Sequence, residues 1–291
     1  MNTYFRVSAI IVAAICNFTL AAQAQSITST IEGLAHPESV VGSGQYLYVG
    51  NVGNKLQPSA KDGDGFISKV NMKTGEIEQL HFLPNKNAKL NAPKGLTIVN
   101  NTLYLADIDR VVGFDLKSGK MVFELSIPEA GFLNDIVAQN PQTLYVSATN
   151  IGKIAKIDVP NESYRFLDIP KIDGANGLDF NTDTSILYCV GYGSNGQIHQ
   201  ITLDPLTSKT ISGYQGLLDG AQYNKGTLYF SDWKSSAKNG VINSLDTQSN
   251  NITTLDLKEL IGGPADFYLD KDSKTLYVPG MLESNIYVIK L

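Results

Sequence analysis

Leu187-Tyr188-Cys189-Val190 is a short apolar run with one polar-tipped aromatic. It is one of six copies of the same signal. The others are Leu47-Tyr48-Val49-Gly50, Leu103-Tyr104-Leu105-Ala106, Leu144-Tyr145-Val146-Ser147, Leu228-Tyr229-Phe230-Ser231 and Leu276-Tyr277-Val278-Pro279. The tyrosines are spaced by 56, 41, 43, 41 and 48 residues. Strand-type patterning at a period of about 40 to 50 residues marks the four-stranded blades of a propeller. The expected fold is all-β, a six-bladed β-propeller.

Working outward from each copy, there is a strand start whose second residue lies ten to twelve residues before the tyrosine. These starts are Pro37-Glu38-Ser39-Val40, Pro93-Lys94-Gly95-Leu96, Leu133-Asn134-Asp135-Ile136, Ala175-Asn176-Gly177-Leu178, Leu218-Asp219-Gly220-Ala221 and Pro264-Ala265-Asp266-Phe267. A third strand follows each tyrosine strand with apolar–polar alternation, as in Gly152 to Asp158, which indicates one buried face. A fourth follows in most repeats, for example Lys120 to Ile127. The last repeat stops at Leu291 after its third strand. The β-prone segment Ser26 to Ile31 belongs to no repeat, so it is expected to close the ring by joining the last blade. Closure protects sheet edges that would otherwise aggregate. The long first interval places an insertion around Gln57 to Gly65.

Composition narrows the class. With 43% hydrophobic and 18% charged residues, 291 residues carry a sizeable core. A net charge of −5 and three arginines, Arg6, Arg110 and Arg165, argue against nucleic acid as a partner. Residues 1–24 read as a signal peptide: Arg6, the apolar run Val7 to Leu20, then Ala22-Gln23-Ala24. That run is shorter than the roughly 20 residues of a membrane span. Residues 25–291 then form one domain, expected to be periplasmic or secreted from a bacterium, monomeric, and not inserted in a membrane. Losing Arg6 takes the net charge from −5 to −6. Cys189 would be the only cysteine left, inside an apolar strand, so neither a disulfide nor a thiolate metal cluster is expected.

In a propeller the first strand of each blade lines the central channel. The second residue of each start then gives a ring of six: Glu38, Lys94, Asn134, Asn176, Asp219 and Ala265. Five are polar, although buried charges cost free energy unless paired. Two carboxylates and two amides converging there suit a hard divalent cation. The bland alternative is a structural network, with Lys94 paired to Glu38 and the asparagines satisfying turn backbone.

At these residues the sequence resembles the family of senescence marker protein 30, gluconolactonase and luciferin-regenerating enzyme. Asn176-Gly177-Leu178-Asp179-Phe180, Leu218-Asp219-Gly220-Ala221, Asn134-Asp135 and Glu38 carry the resemblance, which covers nearly all of residues 25–291. It implies a six-bladed propeller with one divalent metal in the channel, Ca²⁺ first, with Mg²⁺, Mn²⁺ or Zn²⁺ as alternatives. Glu38, Asn176 and Asp219 would be the metal ligands, and Asp219 also the general base. Asn134, Lys94 and Phe132 would meet a small-molecule substrate. Phe132 stands where lactonases of the family often carry an arginine. The implied activity is metal-dependent hydrolysis of a lactone or related cyclic ester. The alternative is a non-catalytic periplasmic binding or scaffold propeller whose axial ring is structural.

Other motifs read as structure. Gly191-Tyr192-Gly193-Ser194-Asn195-Gly196 has dinucleotide-type glycine spacing but is followed by a strand pattern, so it reads as a hairpin loop. Asp62-Gly63-Asp64-Gly65 lacks the glutamate that closes an EF-hand. His36 reads as a turn residue, and Trp233 carries no repeat signal.

Overall fold

The computed structural model describes residues 25–86 and 88–291, so the expected signal peptide lies outside the described residues. The chain forms six antiparallel sheets. Blade 1 is β2 (Pro37–Ser43), β3 (Tyr46–Asn51), β4 (Phe66–Asn71) and β5 (Ile77–Leu83). Blade 2 is β6 (Pro93–Val99), β7 (Thr102–Asp107), β8 (Arg110–Asp115) and β9 (Met121–Ser126). Blade 3 is β10 (Leu133–Asn140), β11 (Thr143–Ala148), β12 (Lys153–Asp158) and β13 (Ser163–Phe166). Blade 4 is β14 (Ala175–Asn181), β15 (Ile186–Gly191), β16 (Ile198–Leu203) and β17 (Leu206–Thr210). Blade 5 is β18 (Leu218–Asn224), β19 (Thr227–Asp232), β20 (Lys238–Asp246) and β21 (Ile252–Thr254), with the short β22 (Ile261–Gly262) also on β20.

Blade 6 is built from both ends of the described chain. Its order is β1 (Ser26–Ile31), β25 (Asn285–Lys290), β24 (Thr275–Gly280) and β23 (Tyr268–Asp270). β1 runs antiparallel to β25, from Ser26 opposite Lys290 to Ile31 opposite Ile286. The expected closure is therefore present. One inner strand differs from expectation. The sixth was expected to begin at Pro264, yet its regular ladder starts only at Tyr268. Pro264 has no N–H to give a ladder, and the Asp266 N–H instead donates to the Glu38 carbonyl of blade 1 at 2.9 Å.

The packing explains why Leu and Tyr recur as a pair. Adjacent strand residues point to opposite faces of a sheet. Each gap between blades accordingly takes the tyrosine of one blade and the leucine of the next. Tyr48 clusters with Leu103, Tyr104 with Leu144, Tyr145 with Leu187, and Tyr188 with Leu228. Tyr229 packs against the cluster of Leu276, and Tyr277 shares one with Leu47, which completes the circle. Aromatic contacts reinforce two gaps: Tyr145 stacks on Phe180 and Tyr188 on Tyr223, with centroids 6.3 and 5.1 Å apart.

Near the axis the inner strands approach one another too closely for side chains at every position. A Cβ on Gly95 would lie 2.4 Å from the Asp135 Cα, and one on Gly177 only 2.0 Å from the Asp219 carbonyl oxygen. Both obstacles are backbone, so nothing flexible can give way. Gly177→Ala is expected to destabilise the protein by about 3 kcal/mol or more, as overpacking of a rigid core does. Urea denaturation measures this; a change within about 0.5 kcal/mol would show that the channel wall relaxes easily.

Candidate functional site

Five of the six axial residues sit where an inner strand breaks register. The ladders slip between Pro37 and Ser39, Pro93 and Leu96, Leu133 and Ile136, Ala175 and Leu178, and Leu218 and Ala221. These shifts bracket Glu38, Lys94, Asn134, Asn176 and Asp219. A bulge re-aims a side chain that a regular strand would point at a neighbouring sheet. All five are buried, with between 1% and 5% of their surface exposed.

Together they line a cavity of about 180 Å³ at one mouth of the channel. Four of its oxygens have no hydrogen-bond partner: Glu38 Oε2, Asn134 Oδ1, Asn176 Oδ1 and Asp219 Oδ1. They come from four different blades. A single buried oxygen without a donor costs about 1–3 kcal/mol, so four around one cavity form an acceptor cup that a hydrogen-bond donor, water or a cation would satisfy. Among the described residues no group of three or more His, Cys, Asp or Glu side chains is placed to hold a metal ion. Half of this cup is amide, which suits a hard, oxygen-seeking cation.

Lys94 does not fill that need. Its ammonium donates to the carbonyls of Pro58 and Ala92 at 2.8 and 3.0 Å and lies 4.4 Å from the centre of the Phe132 ring. No ion pair joins it to Glu38 among the described residues. The expected insertion, between β3 and β4, thus reaches the mouth through Pro58. Nor do the asparagine carbonyls satisfy turn backbone, since both lack a donor.

Electrostatics follow from burial. Desolvation raises the Asp219 carboxyl to about 7, against the opposing effect of the Trp233 indole and the Asn176 amide. Burial also lifts Glu38 well above the usual carboxylate range, with Asp219 adding repulsion and Lys94 opposing it. Lys94 itself is drawn down to about 8 by burial, against the attraction of Glu38 and Asp107.

Beneath the cup lies a second level. Asp135 and Asp266 are both buried, and their carboxyls lie close enough across the axis to influence each other's ionisation. Asp135 also accepts the Ile136 and Leu178 N–H groups at 2.7 and 2.6 Å, tying blade 3 to blade 4. Ser39 donates to Asp266 at 3.1 Å, tying blade 1 to blade 6. Burial pushes Asp135 up to about 7 and Asp266 well above its ordinary range.

These raised values have a signed consequence for the metal-free protein. A carboxyl at about 7 when folded and near 4 when unfolded binds more protons in the native state between those limits. Native stability therefore falls as pH rises from 4 to 7, by on the order of 4 kcal/mol for one such group. Calorimetry on EDTA-treated protein should show Tm dropping from pH 5 to pH 8. A flat or rising profile would mean the carboxyls are ionised without penalty.

Several cavity-lining positions escape the repeat reading. Trp233 donates its indole N–H to Asp219 Oδ2 at 2.7 Å, leaving Oδ1 facing the cavity. Tyr192 packs edge-on against Trp233, and Met281 and Thr149 complete the wall. A signal was present. Thr149, Tyr192, Trp233 and Met281 each stand four residues after a repeat tyrosine, where the second strand delivers the chain to the mouth. His36 hydrogen-bonds the Met281 carbonyl at 3.1 Å with a positive φ, a turn role, and Cys189 is a fully buried thiol raised to about 12 by desolvation.

Ring, closure and channel define a six-bladed β-propeller with a polar axial cup. No family model matches the chain, and no curated protein matches it in sequence. Its fold is similar to that of virginiamycin B lyase from Staphylococcus aureus, solved as an inactive variant with quinupristin. That match has 18% identity and a TM-score of 0.58 over 90% of this chain and 99% of that one. An auxiliary nutrient binding protein from Bacteroides thetaiotaomicron matches at 14% identity and a TM-score of 0.65, over 89% of this chain and 69% of that one. A protein of unknown function from the same organism matches at 13% identity and a TM-score of 0.69, over 92% and 76%. Likeness at this level shows the fold.

Proposed function

We propose that this propeller is a divalent-cation-dependent hydrolase of a lactone or related cyclic ester, in the manner of the senescence marker protein 30 and gluconolactonase family. The four partnerless oxygens on one buried cavity carry this reading. Glu38, Asn176 and Asp219 would hold the cation, Ca²⁺ first, with Asn134 supplying a fourth oxygen or meeting the substrate. A cation bound there would polarise the ester carbonyl and make a nearby water more acidic.

The chain's own groups do the rest. Asp219 takes a proton from the attacking water, whose oxygen bonds to the carbonyl carbon. The Trp233 indole fixes the Asp219 carboxylate so that Oδ1 points at that water. The Asn134 amide N–H groups steady the negative charge growing on the carbonyl oxygen. The bond from carbonyl carbon to ring oxygen then breaks, and Asp219 returns the proton to the departing alkoxide. Lys94, tethered over Phe132, adds positive potential on the blade 2 side.

Titration of EDTA-treated protein with Ca²⁺, Mn²⁺ and Zn²⁺ should reveal one ion per chain, and a lactone and ester panel should show hydrolysis that EDTA abolishes. Absence of a stoichiometric ion sinks the reading. One observation favours a second: the Pro58 carbonyl draws Lys94 and the insertion across the mouth, as in a propeller that binds without chemistry. Tight cation binding with no hydrolysis would select it. Export to a bacterial periplasm or medium and a monomeric state belong to the same proposal, checked by cell fractionation and light scattering.

A further inference from the structure

The floor of the cup is polar, but its wall is not. Position four after the repeat tyrosine gives Val52, Ile108, Thr149, Tyr192, Trp233 and Met281, of which the last four line the cavity. Val52, Ile108, Trp233 and Met281 belong to one buried apolar cluster, with Tyr192 packed against it. Phe132 and Pro58 fill the remaining sides of the cavity.

The wall's few hydrogen-bonding groups are nearly all committed. The Thr149 hydroxyl donates to the Ala175 carbonyl at 2.8 Å. The Trp233 N–H is held by Asp219, and two hydrogens of the Lys94 ammonium by the Pro58 and Ala92 carbonyls. Among the described residues of this wall, the Tyr192 hydroxyl alone has no protein partner. The cavity is small as well. About 180 Å³ equals roughly six waters at ~30 Å³ each, below the roughly 300 Å³ at which pockets for drug-sized ligands begin.

From this arrangement we infer that the substrates are small apolar lactones, five- or six-membered rings carrying a short alkyl or aryl arm, and not polyhydroxylated sugar lactones. The inference rests on the hydrolase reading above and specifies its substrate class. The carbonyl end meets the oxygen cup. The ring's carbon edge and arm lie against Phe132, Trp233 and Met281. Each methylene buried there improves affinity by roughly fourfold. A sugar lactone would bring several hydroxyls against the same wall, and an apolar pocket disfavours an added hydroxyl by up to ~100-fold.

The test compares an alkyl-substituted γ- or δ-lactone with gluconolactone as substrates of wild-type protein loaded with Ca²⁺ or Mn²⁺. In parallel, calorimetry measures binding of the matching alkyl lactam and sugar lactam, which the enzyme should not open. The expected result is a kcat/KM at least tenfold higher for the alkyl lactone and tighter binding of the alkyl lactam. Equal or better hydrolysis of gluconolactone overturns the substrate class and leaves the hydrolase reading standing. Binding of the alkyl lactam at least tenfold tighter than the sugar lactam, with neither lactone hydrolysed, supports the apolar wall and overturns the hydrolase reading. Failure to hydrolyse or bind any of them overturns both. Phe132→Gln provides the second arm: by adding a hydrogen-bonding group to the wall it should shift the kcat/KM ratio at least threefold toward gluconolactone, and an unchanged ratio counts against the inference.

Discussion

Asp219→Asn will fold normally and bind a divalent cation on the order of 100-fold more weakly than the wild type, because one of only two carboxylates leaves the cup. Hydrolysis falls further, since the same substitution removes the proposed proton acceptor. The Trp233 indole can still donate to an amide oxygen at that position, so the local hydrogen bond survives. The metal-free variant is expected to be at least as stable as metal-free wild type at pH 8, because no charge is stripped of water there. Cation titration by calorimetry and a Tm at pH 8, each with and without cation, read both halves. At a free ion concentration 100 times its Kd, wild type should gain about 2.7 kcal/mol from the ion, and Asp219→Asn almost none. Wild-type cation affinity in the variant would remove Asp219 from the ligand set.

Deleting residues 26–31 has the other large effect, on the fold itself. Without β1, the outer edge of β25 loses its whole ladder partner. Ile31, 4% exposed, leaves a cluster that includes Leu47, Tyr277 and Ile286. Loss of a buried isoleucine alone costs about 2–5 kcal/mol, and the open edge invites pairing with other chains. The truncated protein should be destabilised by more than about 4 kcal/mol and elute as oligomers from a sizing column. Removal of the peripheral β21, three partly exposed residues, should cost far less. Equal stability of the β1 deletion and wild type would mean that the ring is held by other contacts.

The sequence was most legible where physics repeats. Six Leu-Tyr pairs recur because each gap between blades needs one of each, and the leftover Ser26 to Ile31 had only one edge to join. The axial ring followed from counting back to the inner strands: five of its residues line one buried cavity, and the sixth, Ala265, is buried in the apolar cluster beside it. Three things were hidden. The bulges that aim Glu38, Lys94, Asn134, Asn176 and Asp219 are backbone events with no residue signature. Lys94 stands beside Glu38 in sequence order around the ring, but the free carbonyls of Pro58 and Ala92 captured its charge, which no spacing reveals. Asp135 and Asp266 lie one residue beyond the ring positions, and their meeting across the axis depends on how closely glycines such as Gly95 let the strands converge. Trp233, by contrast, has a signal in spacing and not in residue type: it stands four residues after Tyr229, as Met281 does after Tyr277.

The rule that every tyrosine packs on the next blade's leucine holds across the closure as well as within the chain, through Tyr277 and Leu47. A linear solenoid needs capping repeats because its two terminal units lack a neighbour. Here each blade has two neighbours, and Ser26 already lies opposite Lys290. The starting point of the chain is then a matter of genetic convenience. A circular permutant with those ends joined and new ends cut in the β20–β21 turn would contain the same six interfaces, and the cup assembled from four blades would be indifferent to the order in which they are translated.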